Sequence, residues 1–140
     1  MQRRTLLNSL PLLLLAQGPA ARAQAGGVVV IGHAALERID VPTLQRIYTG
    51  RVVELGNVSV NPANVAAGNP VRSRFLATYL NQDEEKYLAY WTVRRYIGKG
   101  VPPREFNTPA EVIRFVLATP GGIGYVDDGS LTPGLNVLVR

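Results

Sequence analysis

The segment PGGIGYV, residues 120–126, decides how the C-terminal part of the chain folds. Its opening proline and glycines are typical of a helix end, and the β-branched and aromatic residues after them predict a strand. Closely spaced glycines can also indicate a dinucleotide site, but in that motif a helix follows the glycines, and here a strand does. The glycines therefore predict a strand that packs closely against a neighbouring element.

On both sides of this segment, the pattern continues as helices and strands. Asn107 or Thr108 caps a predicted helix that has Pro109 at its start, and residues 135–139 predict a last strand. The other predicted elements, in chain order, are a strand at 28–31, a helix at 41–48, a strand at 58–60, a turn at 61–64, and helices that begin after Asn69 and at Asp83. Strands separated by helices indicate an α/β fold with a mixed sheet flanked by helices.

The first 23 residues predict a cleavable export signal. Arg3 and Arg4 precede an apolar run that is too short to span a bilayer, and Ala21-Arg22-Ala23 offers the small residues of a cleavage site. We therefore expect a single α/β domain at 24–140, periplasmic or secreted, that does not span a membrane after cleavage. The adjacent arginines fit a twin-arginine signal as well as the general secretory route, and both remain open.

Charge and cysteine content limit the classes of partner and of covalent attachment that we expect. Removing Arg3, Arg4 and Arg22 lowers the basic count from 15 to 12 against 10 acidic residues, so the expected domain is only mildly basic. This balance does not indicate a nucleic-acid partner. Because the chain contains no cysteine, it can form neither a disulfide nor a lipid anchor on a cysteine.

The residues that most enzymes need are scarce in this sequence. His33 is the single histidine, so a metal site with several His or Cys ligands cannot be built from one chain. No serine lies in a G-x-S-x-G setting, and His33 is more simply interpreted as a hydrogen-bonded or exposed side chain at a strand end. We therefore expect no enzymatic activity, no catalytic residue, no metal and no cofactor.

One segment has the features of an anion site. The predicted ligand-binding residues are Asn69, Val71, Arg72, Ser73 and Arg74, at the start of a helix. A helix N-terminus offers unpaired N–H groups and partial positive charge, and arginine adds donors suited to oxyanions. The alternative is an ordinary capped helix with exposed arginines. The acidic cluster at 83–85 is interpreted as a solvated helix start.

Three blocks of sequence resemble one family. Residues 41–51, VPTLQRIYTGR, residues 68–75, GNPVRSRF, and the PGGIGYV segment resemble, in this order, blocks of the phosphate-type substrate-binding proteins of ABC transporters. The resemblance implies one lobe of a periplasmic-binding-protein type 2 fold. It also implies an oxyanion such as phosphate as ligand, Arg72 as its main charged contact, and an ABC permease as partner.

Two departures from the family suggest a second hypothesis. Where the phosphate binders carry Ser-Gly-Thr, this chain has Asn69-Pro70-Val71, so two hydroxyl groups are missing. The family also closes two lobes over its ligand, whereas this chain has room for one. A protein-interaction module of the cell envelope, derived from a binding-protein lobe and bound to an envelope protein, therefore stands beside oxyanion binding.

Overall fold

The computed structural model describes residues 27–139, so the predicted export signal at 1–23 lies outside the described residues. Strands and helices are interspersed along the chain. The strands are β1 (Val28–Gly32), β2 (Glu54–Leu55), β3 (Val58–Ser59), β4 (Asn61–Val65), β5 (Arg104–Phe106), β6 (Gly122–Asp127) and β7 (Asn136–Val139), and the α-helices are α1 (Val41–Tyr48), α2 (Pro70–Phe75), α3 (Glu84–Tyr96) and α4 (Pro109–Ala118). A π-helical turn, Leu76–Leu80, extends α2.

Five of the strands form one mixed sheet in the order β5-β4-β6-β1-β7, which confirms the predicted fold class. Strand β1 pairs antiparallel with both β6 and β7, whereas β4 pairs parallel with both β5 and β6. Strands β2 and β3 form a separate two-stranded hairpin. The parallel pairs require crossover connections, which the helices supply.

Helices cover both faces of the sheet. Neighbouring residues of β6 point to opposite faces, so β6 contacts a helix on each side. On one face, a Cβ atom at Gly124 would lie only 2.5 Å from Val112 on α4, so only glycine allows this close approach. On the other face, the Tyr125 ring stacks on the Phe75 ring of α2 at 3.8 Å between centroids. The close packing predicted from the glycines of this segment is therefore confirmed.

The chain differs from the sequence prediction around residue 61. Proline and asparagine predict a turn at 61–64, but these residues open β4, which lies between β5 and β6. Pro62 is tolerated because pairing with β5 begins only at Ala63, where a backbone N–H is next needed. The strand predicted at 58–60 is shorter and belongs to the separate hairpin, and the sequence gives no prediction of β5.

The predicted cap at Thr108 is confirmed, whereas Asp83, expected in the first turn of its helix, is the N-cap. Asp83 accepts a hydrogen bond from the Lys86 N–H at 2.8 Å at the start of α3, and Thr108 and Glu111 form a reciprocal capping box at the start of α4.

Within residues 27–139, no helix combines the length and the apolar character that crossing a membrane would need.

Candidate functional site

Asn69 caps α2 and takes up the N–H groups at its start. Its side-chain oxygen accepts from the Val71 N–H at 3.0 Å, and its carbonyl accepts from the N–H groups of Arg72 and Ser73 at 3.0 and 3.3 Å. These are the three donors that the sequence assigns to an anion. Because each already has a partner in the chain, an anion would have to displace Asn69 or share its donors.

Arg72, the predicted main contact for an oxyanion, points into the protein. Its side chain is only 4% exposed. Nε and Nη2 donate to the two carboxylate oxygens of Glu84 at 2.8 and 2.7 Å, so this pair is bidentate. Nη1 donates to Glu105 at 2.6 Å and to the Val65 carbonyl at 3.2 Å. The guanidinium thus joins α2, α3, β4 and β5.

The electrostatics of this cluster favour the charged arginine. Burial alone would lower the pKa of Arg72, but its hydrogen bonds to Glu84 and Glu105 outweigh burial, and the pKa is raised. Two carboxylates now face one guanidinium, so the cluster carries a net negative charge when all three groups are ionised. Such a cluster repels an incoming anion unless a glutamate moves away or is protonated.

A buried network of polar side chains lies against Arg72. The Arg72 guanidinium lies 5.5 Å from the centre of the Tyr87 ring, and the Tyr87 hydroxyl accepts from the Asn64 amide at 3.1 Å. Asn64 Oδ1 in turn accepts from the Tyr125 hydroxyl at 3.0 Å, and that hydroxyl accepts from the Val65 N–H at 3.0 Å. Satisfied networks of this kind hold the core in one arrangement.

Burial also lowers the acidity of four tyrosine hydroxyls. Desolvation raises the pKa of the Tyr48, Tyr79, Tyr87 and Tyr125 hydroxyls, because a buried phenolate would lose its hydration. All four therefore remain neutral hydrogen-bonding groups at physiological pH. They can position the chain between β4 and the helices, but they do not offer a base or a nucleophile.

The five predicted site residues do not converge on one space. Val71 and Arg72 are buried, Asn69 is half-buried, and Ser73 and Arg74 are exposed on the outside of α2. The predicted solvated cluster at 83–85 is wrong for Glu84, which pairs with Arg72. Anion binding by the five residues stays a prediction, and the structure gives it two exposed side chains, Ser73 and Arg74, but no enclosed pocket.

A second basic region, which the sequence analysis does not single out, lies between α1 and the π-helical turn. Arg46 and Arg51 line a polar recess of about 510 Å³ with Gln82 and Tyr90. The buried Oε1 atom of Gln82 has no hydrogen-bond partner among the described residues. This recess is open on one side and distant in sequence from Arg72, so arginine substitutions can separate the two regions in a binding experiment.

The side of α3 that faces solvent, which we call its outer face, carries exposed apolar residues. On the inner side of the helix, Tyr87 and Trp91 are buried. Tyr96, however, is 91% exposed. The exposed large apolar residues on and just after this helix are Leu88, Val93, Tyr96, Ile97 and Val101.

Among residues 27–139, no group of three or more His, Cys, Asp or Glu side chains is placed to hold a metal ion.

The fold of this chain is similar to that of part of three solved proteins. It is similar to an ABC-type phosphate transport receptor from Vibrio cholerae (TM-score 0.57, 11% identity), over 81% of this chain and 45% of that one. It is also similar to a putative phosphate ABC transporter substrate-binding protein from Clostridium perfringens with bound phosphate (TM-score 0.64, 13% identity), over 81% of this chain and 44% of that one. A third similar structure is PstS from Borrelia burgdorferi (TM-score 0.61, 20% identity), over 81% of this chain and 47% of that one.

These likenesses confirm the predicted phosphate-binding-protein-like fold. The chain spans a little under half the length of each of the three structures, as expected of a single lobe. No protein-family model matches the sequence, and no curated protein matches it. The ligands and transport systems of the three neighbours are their own, because identities of 11–20% show a shared fold and no more.

Proposed function

We propose that this chain is an exported, non-enzymatic binding-protein lobe that works in the cell envelope by contact with another protein. The observation that carries the proposal is the double ion pair of Arg72 with Glu84 and Glu105. The one buried guanidinium at the expected ligand position is held by the chain itself. The fold supports the relation to binding proteins, and the occupied arginine argues against capture of a free oxyanion.

The balance of interactions explains why an oxyanion would compete poorly. To reach Arg72, phosphate would have to replace the bidentate Glu84 and the shorter Glu105 contact, and both carboxylates would then lose their partner. A charge-assisted hydrogen bond contributes about 1.5–3 kcal/mol, so the exchange gains little. A single lobe also leaves the anion hydrated on one side, where such bonds are weaker.

The second candidate is capture of phosphate or a similar oxyanion for an ABC transporter, with a permease as partner. It is favoured by the similarity to a structure that contains bound phosphate. In this chain the exposed side chains at that position are Ser73 and Arg74, beside the capped start of α2. It would require a second lobe or a second protein to close over the anion.

Calorimetry with phosphate and sulfate distinguishes the two functions. We expect no heat of binding at millimolar anion for the purified protein. Micromolar binding that Arg74→Ala weakens tenfold or more, equivalent to about 1.4 kcal/mol, would establish the second candidate instead. Arg95→Ala, which removes an exposed arginine on α3, is the matched control, and Arg46→Ala reports binding in the recess near α1.

A variant of Glu105 sharpens this experiment. Glu105→Gln removes one negative charge beside Arg72 but leaves the bidentate Glu84 contact in place. If an oxyanion site is hidden behind the glutamates, phosphate affinity should rise in this variant. We expect it to remain undetectable.

Export is part of the proposal and has its own test. The periplasmic or secreted form is expected to begin at Gln24, which N-terminal sequencing of the purified protein measures directly. Replacing Arg3 and Arg4 together by lysine separates the two routes, because the twin-arginine pathway recognises the arginine pair, whereas the general route requires only positive charge.

A further inference from the structure

Positive charge is concentrated around Tyr90, beside the polar recess between α1 and the π-helical turn. Arg51 and Arg94 both lie against the Tyr90 ring, with their guanidinium carbons 6.0 and 5.5 Å from its centre. Arg46 lines the recess, and Lys86 lies about one helical turn before Tyr90 on α3. Among the described residues, none of these four cations forms an ion pair with a carboxylate. Like charges held this close repel one another unless an anion lies near them.

The carboxylates at the starts of α1 and α3 do not neutralise this charge, because they serve as helix caps. Asp40 accepts from the Thr43 N–H and Asp83 accepts from the Lys86 N–H, both at 2.8 Å. The hydrogen bonds from Thr43 lower the pKa of Asp40, and the charge of Arg46 adds to this effect. The four cations therefore outnumber the two capping carboxylates, and the region attracts negative charge.

The amide of Gln82 is not used within the fold, although this residue is half-buried. Gln82 lines the recess together with Tyr90, and its buried Oε1 atom has no hydrogen-bond partner among the described residues. Buried polar atoms of folded proteins are nearly always hydrogen-bonded, so an unpaired amide at a recess indicates a missing partner. A glutamine amide has two donors and an acceptor, which match the C=O and N–H groups of a peptide backbone.

The recess has the length of a short stretch of extended chain. Pro42 near the start of α1 and Arg51 beyond its end both line the recess, so it runs along the whole helix. The eight residues of α1 are about 12 Å long. An extended peptide covers about 3.3–3.6 Å per residue, so about three or four residues fit. The volume of about 510 Å³ lies within the usual range of ligand sites.

We propose that the recess along α1 binds an acidic, extended segment of a partner protein. Carboxylates of the segment pair with Arg46 and Arg51, and its backbone pairs with the amide of Gln82. Sulfate or phosphate matches the arginines alone, because it has no peptide group and is much shorter than the recess. This inference rests on the proposed function, since it names the kind of partner that the lobe contacts.

Calorimetry with the synthetic peptide acetyl-Gly-Glu-Asp-Glu-Asp-Gly-amide tests the proposal on the purified protein. We expect a dissociation constant of about 100 µM at about 20 mM salt, and at least about tenfold weaker binding at about 300 mM salt, because salt screens exposed ion pairs. The same peptide with Gln and Asn in place of Glu and Asp should not bind detectably. No heat from the acidic peptide, or equal binding of the two peptides, would overturn the proposal.

Arginine substitutions locate the binding site. Arg46→Gln and Arg51→Gln keep a polar side chain but remove the charge, so each should weaken peptide binding about fivefold, and the double variant about 25-fold. Arg114→Gln, at an exposed arginine on α4 across the sheet from α1, is the matched control and should change the dissociation constant by less than about twofold. An equal loss in the control would reduce the binding to attraction by net charge and contradict a site at α1.

Gln82→Met tests the amide separately from the charges. Methionine is similar in length but cannot pair with a peptide backbone, so peptide binding should weaken about threefold or more. The urea midpoint should not fall, because the Oε1 atom loses no hydrogen bond in the free protein. A lower midpoint with unchanged peptide affinity would show that the amide serves the fold and would remove it from the site.

The outcomes separate this inference from the proposed function. A peptide that does not bind overturns the inference about the recess, whereas the proposed function is tested by phosphate and sulfate. Micromolar phosphate binding that Arg74→Ala weakens overturns the proposed function, whatever the peptide does. Phosphate that binds as tightly as the peptide, with the same loss in Arg46→Gln, would make the recess a small-anion site and overturn both. Circular dichroism of each variant confirms that it is folded, as expected for substitutions at the surface.

Discussion

The start of α2 and the outer face of α3 show opposite distributions of polarity. At α2, a permanently charged side chain is buried and neutralised by two glutamates. On α3, a tyrosine and a leucine remain in solvent although the domain has a well-packed core. The charged residue expected to bind a ligand is thus satisfied internally, whereas Leu88 and Tyr96 on α3 remain largely exposed.

The two regions differ in how readily they can bind a partner. A group whose hydrogen bonds are satisfied within the fold contributes to stability, because a ligand must first displace its partners. An apolar surface left in water can gain free energy from any contact that covers it. We therefore expect substitutions of the buried cluster at α2 to change the free energy of unfolding and substitutions of the exposed residues on α3 to leave it nearly unchanged.

The largest expected effect is unfolding in alkaline solution, caused by four buried tyrosines. The pKa of four tyrosine hydroxyls is raised in the folded state above the ordinary value of 10.0. Their contribution to stability is therefore complete below pH 10 and is lost as the pH rises towards the folded-state values. We expect helical circular dichroism to disappear as these phenolates form.

Absorbance at 295 nm, followed beside circular dichroism, measures this coupling. In concentrated urea all tyrosines should ionise together, which provides the unfolded control. Ionisation of every tyrosine at unchanged circular dichroism would contradict the prediction, because it would show that the network opens without unfolding.

Arg72→Ala should be the most damaging single substitution at α2. It leaves Glu84, Glu105 and the Val65 carbonyl without their shared donor. Removing one partner of a buried ion pair costs about 3–5 kcal/mol, but the glutamates are 35% and 50% exposed, so we expect a loss of about 2–3 kcal/mol. Urea unfolding measures it.

Two variants control this measurement. Arg74→Ala, at the exposed neighbour, should change the free energy of unfolding by about 0.5 kcal/mol or less. Arg72→Lys keeps the charge but not the planar fork and should recover less than half of the loss. An Arg72→Ala variant as stable as the wild type would show that the cluster does not stabilise the fold.

Local sequence signals predict much of this fold. Asn69, Asp83 and Thr108 begin helices where predicted, because a cap acts on N–H groups two or three residues away. Residues 61–64 are mispredicted for the converse reason. Their proline and asparagines favour a turn locally, but pairing with β6 and β5, far away in the sequence, makes them a strand.

The site could not be predicted to the same degree. Glu84 and Glu105 lie 12 and 33 residues from Arg72, beyond the spacing at which residues on one helix meet. An arginine at a helix start therefore suggested an anion from outside, and the acidic cluster at 83–85 suggested solvent. The exposure on α3 carried a signal in the sequence, since helical geometry places Val93 and Tyr96 away from the Tyr87 and Trp91 stripe.

The two glutamates should differ in their effect on stability. Glu84 accepts two hydrogen bonds from Arg72 and Glu105 accepts one from it. Glu84→Gln replaces one acceptor by an amide that faces an N–H donor, so we expect a loss of about 1 kcal/mol, against about 0.5 kcal/mol for Glu105→Gln. Urea unfolding of both variants gives the order, and a larger loss for Glu105→Gln would place the stronger contact at β5.

The smallest expected effect on stability is that of Tyr96→Ser, and it tests α3. Tyr96 is 91% exposed, so in dilute solution its loss should change the free energy of unfolding by about 0.5 kcal/mol or less. Urea unfolding of the wild type and of Tyr96→Ser measures this difference. A stability loss above about 1 kcal/mol in dilute solution would mean that Tyr96 packs within the monomer. The difference between α2 and α3 would then disappear, because both regions would stabilise the single chain.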